Sequence, residues 1–311
     1  MDFLIVLLAI IWLEAAGELT FIQRDGWLGK WHQGLSKLGF LNDLHYLKAG
    51  LFALLPVLLL ALIIRELQVN HLGLVVFILE LLVLLYALGR GNLQSQIGVL
   101  KSDLRRDDMQ AAFHDAAVLN ISHREGKAET WDDFHQEVLA ALPYRFFERS
   151  FAVIFWFFLF GAPAALFYRL LALHGDLRLN EGEQPSSAKL LWLLEWIPAR
   201  LLALTTALVG NFSYAVSHLQ DLLFCPRTAT ADLLRRCVIG AMGIAEPSDS
   251  DSSQEHSNPA SSQELSNQEQ DNPAPVGPVQ VGLEELPNIQ ALFGRSMTAW
   301  LVFIAIFVVL S

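Results

Sequence analysis

Cysteine is almost missing from this chain: Cys225 and Cys237 are the only two in 311 residues. They lie twelve apart, without a CxxC pair or a histidine spaced to complete a tetrahedral site. That excludes a disulfide framework and a structural zinc. Charge is scarce as well, at 17% against the roughly 25% of an ordinary soluble domain. The 21 Lys and Arg form no extended basic surface, and no RNP or zinc-finger pattern occurs, which argues against a nucleic-acid partner. The phosphate-cradling GxxxxGK[ST] loop is absent, because Leu88-Gly89-Arg90-Gly91-Asn92 has neither its lysine nor its spacing. HExxH, GxSxG and SxxK are absent too, so no familiar hydrolytic constellation is present, and neither a cofactor nor a metal is expected.

What the chain does have is apolar residues, 53% of the total, blocked into long runs of the kind that meets lipid. The net charge of −11 is local: residues 246–286 hold nine acids and no Lys or Arg. Pro247 to Gly282, built from Ser, Asp, Gln, Glu, Asn and Pro without periodicity, predicts a disordered linker. The expected fold is all-α: a polytopic helical membrane protein with a cytoplasmic helical segment and a disordered acidic linker.

The runs set the organisation. Residues 1–88 hold N-terminal membrane or interfacial helices. Phe3 to Leu13 is preceded by Met1 and Asp2 rather than a basic cluster and followed by Glu14 and Glu18, so it reads as retained rather than cleaved. As a helix it rises only ~16 Å, about half a bilayer core, which leaves tilted, re-entrant and interfacial placements open. Ala49 to Ile64 and Leu72 to Leu88, joined by a short link, predict an antiparallel hairpin. Residues 89–149 carry Arg90, Lys101, Arg105, Arg106, Arg124, Lys127, Arg145 and Arg149 beside membrane segments, and so read as cytoplasmic. Leu100 to Leu119 and Asp132 to Leu142 have helical spacing within that block. Residues 150–245 hold the strongest expected span, Phe151 to Leu173, followed by a link, His174 to Lys189, expected outside. Leu190 to Gly210, with Glu195, Pro198 and Arg200, then reads as a buried, kinked or embedded helix. Residues 287–311 hold the C-terminal membrane helix.

Two groups of polar residues stand out. Asp107, Asp108, His114 and Asp115 fall on one expected cytoplasmic helix, with Asp108 and Asp115, like Asp107 and His114, two turns apart on one face. Such oxygens suit a divalent cation with substrate phosphates, but Arg105 and Arg106 beside them suit a solvated, salt-bridged face equally. The second group is intramembrane. Glu14 and Glu18, four apart, should be protonated or meet a cation near lipid, and Arg169 and Arg200 are the candidates. Trp192, Trp196 and Arg200 recur every four residues, placing a guanidinium over an indole where Pro198 opens the backbone. That stripe is either a kink packed by aromatics or a pocket for an anion. Gly161, Ala165 and Tyr168 or Arg169 share a face, a small-residue helix-packing pattern ending in a polar tip.

Three strings carry a resemblance: Tyr86-Ala87-Leu88-Gly89-Arg90-Gly91-Asn92-Leu93, the run Phe155-Trp156-Phe157-Phe158-Leu159-Phe160-Gly161-Ala162-Pro163-Ala164-Ala165-Leu166-Phe167-Tyr168-Arg169, and Trp196-Ile197-Pro198-Ala199-Arg200-Leu201 with Gly210-Asn211-Phe212. In order and spacing, through most of the chain outside the acidic linker, the sequence resembles the AmpE family. The resemblance implies a multi-pass protein of the bacterial inner membrane, encoded beside a muropeptide amidase and linked to control of the AmpC β-lactamase. The role implied is sensing or signalling of cell-wall recycling, without an implied biochemical activity. Expected partners are the lipid bilayer and a cell-wall-derived ligand or regulatory protein, with homo-oligomerisation left open. More distantly, Gly161-x-Pro163-x-Ala165-Leu166-x-Tyr168 and Pro198-Ala199-Arg200 are similar to CbiB, a membrane amide synthase of corrinoid assembly. Only Gly161, Tyr168, Pro198 and Arg200 carry across. That family has Glu-Asn and Asp-Gly pairs before its glycine-rich helix, where this chain has Arg145-Phe146-Phe147-Glu148-Arg149-Ser150. The second reading is therefore a membrane-embedded amide-forming or phosphate-using enzyme.

Overall fold

The computed structural model describes residues 2–16, 26–36, 45–88, 93–106, 130–180, 188–212, 228–243 and 278–310, with Asp108, 110–112, His114 and Cys225 between them. Every regular element among these residues is helical, and none is a strand. In chain order they are α1 (Asp2–Ala16), α2 (Gly26–Ser36), α3 (His45–Val69), α4 (Gly73–Ala87), α5 (Leu93–Arg106), α6 (Trp131–Phe146), α7 (Ala152–Phe160), α8 (Ala162–Asn180), α9 (Ala188–Val209), α10 (Thr230–Met242) and α11 (Pro278–Leu310).

Among the described residues, three helices are long and apolar enough to cross a membrane: Gly50–Val69 in α3, Ala188–Val209 in α9 and Glu285–Leu310 in α11. At 1.5 Å per residue each reaches at least about 30 Å, the thickness of the hydrocarbon core. Large apolar side chains stand bare along them and at their far ends, among them Leu59 (64% exposed), Leu208 (68%) and Val309 (84%). Water would not leave such a surface uncovered, whereas lipid solvates it without cost. The α3 and α4 runs form the expected antiparallel pair, turning through His71 at φ 57°.

The expected single span from Phe151 to Leu173 is corrected. α6 runs through one turn of π-helix, Phe147–Phe151, into α7 without a break, and the chain then stops at Gly161. Gly161 sits at φ 76°, ψ −168°, a backbone region that only glycine occupies readily. Its N–H closes α7 on the Phe157 carbonyl at 2.7 Å, and Pro163 lies in the first turn of α8, where its missing N–H costs nothing. α8 folds back antiparallel: Arg145, sixteen residues before Gly161, comes within 3.9 Å of Asp176, fifteen after it. The apolar stretch is thus a hairpin whose tip, Leu159 and Phe160, is exposed and apolar.

Other expectations change with it. The link starting at His174 and the end of the 89–149 block cannot stand on opposite sides of a ~30 Å core when Arg145 and Asp176 are in contact. The expected boundary at residue 149 falls inside a continuous helical stretch. α5 ends at Arg106, so Leu100 to Leu119 is not one helix: Asp108 accepts the Ala111 N–H on its side chain at 3.0 Å, the N-cap of a new turn. α11 begins at Pro278, inside the expected linker, whose remainder lies outside the described residues. Proline suits a first helical position, and Leu286, Ile289, Leu292, Phe293 and Ser296 form a buried stripe at helical spacing.

α11 runs alongside α6 and α7 in the same direction. Phe293 stacks on Phe146 with ring centres 4.7 Å apart, Trp300 meets Phe151 at 5.3 Å, and Phe307 meets Phe158 at 6.0 Å. The Trp300 indole N–H donates to Thr205 Oγ1 at 2.8 Å, tying α11 to α9. α10 lies parallel to α9, with the Cys237 thiol donating to the Ala203 carbonyl at 3.1 Å and the Asn211 N–H to the Ala241 carbonyl at 2.9 Å. The close approach depends on Gly210, where an added Cβ would lie 2.7 Å from that of Ala241.

Candidate functional site

The base of the α7–α8 hairpin gathers charge in an otherwise apolar core. Across the end of α6 and the π-turn, Arg145 and Glu148 are three apart, and both are buried. The wide turn carries an extra residue and so re-aims the side chains that follow it, as π-turns do at many functional sites. Arg145 donates to Glu148 Oε2 at 2.6 Å, while Arg169 of α8, 4% exposed, donates to Glu148 Oε1 at 3.3 Å. One carboxylate therefore bridges two guanidiniums through its two oxygens. Burial alone would raise the Glu148 carboxyl, but Arg145 and then Arg169 outweigh it and hold it below the usual carboxylate range. Arg149, on the next face, donates to Gln96 of α5 at 3.1 Å.

A second carboxylate lies beside this bridge. Glu195 of α9 is 3% exposed, and its Oε1 accepts the Tyr144 hydroxyl at 2.9 Å and the Tyr168 hydroxyl at 3.1 Å. Adjacent residues on a helix project about 100° apart, so Tyr168 reaches α9 while Arg169 reaches back to the π-turn. Between these groups opens a cavity of about 310 Å³, walled by Tyr144, Arg145 and Glu148, by Asp176, and by Trp192, Glu195 and Thr230. Four separate elements contribute walls, and the size falls at the lower end of small-molecule sites.

The residues singled out in the sequence divide between this site and elsewhere. Tyr168 and Arg169 belong to the site. Arg200 lies 4.1 Å above the Trp196 ring, the arrangement expected from their spacing, and donates to the carbonyls of Trp196 at 3.0 Å and Cys225 at 2.9 Å. These contacts tie Trp196 and Arg200 to one another and to backbone outside the cavity, whereas Trp192 of the same stripe is one of its walls. Glu14 stands in the last turn of α1, but its side chain, like the whole of Glu18, lies outside the described residues. The carboxylate found beside Arg169 is Glu148. Of the acidic group expected in segment 89–149, Asp108 and His114 are exposed, and Asp107 and Asp115 lie outside the described residues. No cluster of three metal-ligating side chains occurs among the described residues.

Sequence reasoning missed Tyr144, Arg145, Glu148 and Asp176 as site residues and noted Glu195 only as a blemish in an apolar run. The i, i+3 spacing of Arg145 and Glu148 was a usable signal. Their meeting with Arg169 was not, because it needs the reversal at Gly161. No family model, no curated protein and no solved structure matches the chain.

Proposed function

We propose that this chain is a multi-pass protein of the bacterial inner membrane that acts as a non-enzymatic sensor or modulator, linked to cell-wall recycling and β-lactamase induction. The carrying observation is the cavity set against the Glu148 bridge: the ion pairs join the stretch carrying Arg145 and Glu148 to α8, and both contribute walls. A ligand bound there changes the balance between arrangements of the hairpin by its differential affinity for them. The AmpE-like strings supply the biological setting, and two of them fall on α7–Gly161–α8 and on α9. The basic residues of segment 89–149, joined on the same side by Arg178 and Lys189, favour a cytoplasmic mouth.

The test is deletion of the gene with its neighbours intact, followed by complementation with wild type and with Glu148→Gln. Altered β-lactamase induction and altered muropeptide pools, restored by wild type alone, are expected. Unchanged induction and pools in the deletion strain overturn the regulatory reading. The second reading, an amide-forming or phosphate-using enzyme similar to CbiB, draws on one observation, the Tyr168 hydroxyl donating to a buried carboxylate. It requires turnover of a nucleotide by purified protein, and no turnover across a panel of nucleotides and divalent ions removes it.

A further inference from the structure

We infer that the cavity takes a small organic cation, a primary ammonium, seated on Glu195 against the indole of Trp192. The inference rests on the reading of the cavity as a ligand site and adds the ligand's charge. Four charged side chains line the space, one guanidinium and three carboxylates. Arg145 is already engaged, 2.6 Å from Glu148 and 3.9 Å from Asp176, so it offers little to an incoming anion. Glu195 is the opposite case. Its hydrogen bonds come from neutral hydroxyls, Tyr144 and Tyr168 on Oε1 together with Thr230, and no cation pairs with it among the described residues.

A buried carboxylate without a cation is costly, and an ammonium resolves it with a charge-assisted hydrogen bond. Trp192 adds an aromatic face to the same wall, and one turn along α9 the Arg200–Trp196 pair shows how such an indole accommodates a cation. An anion entering the same space meets three carboxylates. The volume of about 310 Å³ restricts the ligand to a small molecule.

Calorimetric titration of the full chain in detergent at neutral pH tests this with three primary amines, propylamine, cyclohexylamine and benzylamine, against acids of matching shape, butyrate, cyclohexanecarboxylate and benzoate. Saturable binding of at least one amine and of no acid is expected. Glu195→Gln, which keeps the shape and the acceptor for both tyrosines, should weaken amine binding roughly tenfold or more. Trp192→Leu should weaken it too, without touching the polar cluster, and serves in place of Glu195→Gln if that variant fails to fold. Binding of acids but not amines, or amine binding indifferent to both substitutions, overturns the cationic class while leaving the cavity a ligand site. Binding of neither series overturns the ligand site itself.

Discussion

The protein contains two antiparallel helical hairpins built by different chemistry. α3 and α4 turn at Asn70 and His71, just past Arg65 and Glu66, and both arms are apolar, α3 alone of the two being long enough to cross a membrane. α7 and α8 turn through Phe160-Gly161-Ala162-Pro163, with no charge near the tip, and keep their charge at the base, where Arg145, Glu148, Arg169 and Asp176 meet. A polar tip costs least in water. An apolar tip costs least in lipid, and an ionic base costs least where its charges meet one another. The difference teaches that the location of charge within a hairpin, more than its total hydropathy, sets the two apart.

The most decisive way to break this comparison is topological. Reporters fused at Lys127 and at Asn180 flank the α7–α8 hairpin. A spanning helix puts them on opposite sides of the membrane, and the folded-back hairpin puts them on the same side. An all-or-none difference in reporter activity between the two fusions would refute the hairpin, and matching activity is expected.

Next in size is the ionic base. Glu148→Gln leaves Arg145 and Arg169 buried without their shared carboxylate, and losing one partner of a buried pair typically costs about 3–5 kcal/mol. Thermal denaturation in detergent should register this as a large drop in midpoint. The same residue sets a pH dependence. Its carboxyl is held below its usual value in the folded protein, so the stabilisation is complete above the unfolded carboxyl's pKa and disappears as pH falls through the folded one. Wild type should therefore lose stability on acidification below about pH 5, and Glu148→Gln should lose less over the same range. Equal acid sensitivity in both proteins would show that other carboxylates carry the effect.

Against that comparison, the legible part of the fold is the part written in local pattern. Apolar run length marked α3, α4 and α9 to within a few residues, and four-residue spacing placed Arg200 over Trp196. The hairpin tip was hidden because Gly161 lies in an apolar run, where glycine also serves helix packing, and hydropathy does not distinguish a small-residue groove from a reversal. The ionic site was hidden for the same reason: Glu148, Arg169 and Glu195 are brought together only once that reversal is known. The start of α11 was obscured by composition, since the residues before Leu286 share the Pro- and Glu-containing character of the acidic segment.

The smallest expected effect separates the two turns at a single atom. Gly161→Ala adds a Cβ at φ 76°, where an L side chain is strained by roughly 1–3 kcal/mol even though its nearest neighbour, Pro163, stands 3.7 Å away. The cost is conformational, not steric, so shrinking neighbours cannot relieve it. Gly73, at the start of α4, has open space around it and no positive φ. Gly73→Ala removes unfolded-chain freedom and favours the helix, and should leave stability unchanged or raise it by about 0.4–1 kcal/mol. Paired thermal melts of the two variants in one detergent read the contrast directly. If both behave alike, the backbone at residue 161 is ordinary helix, and the ion pairs at the base would have to be held by some other bend.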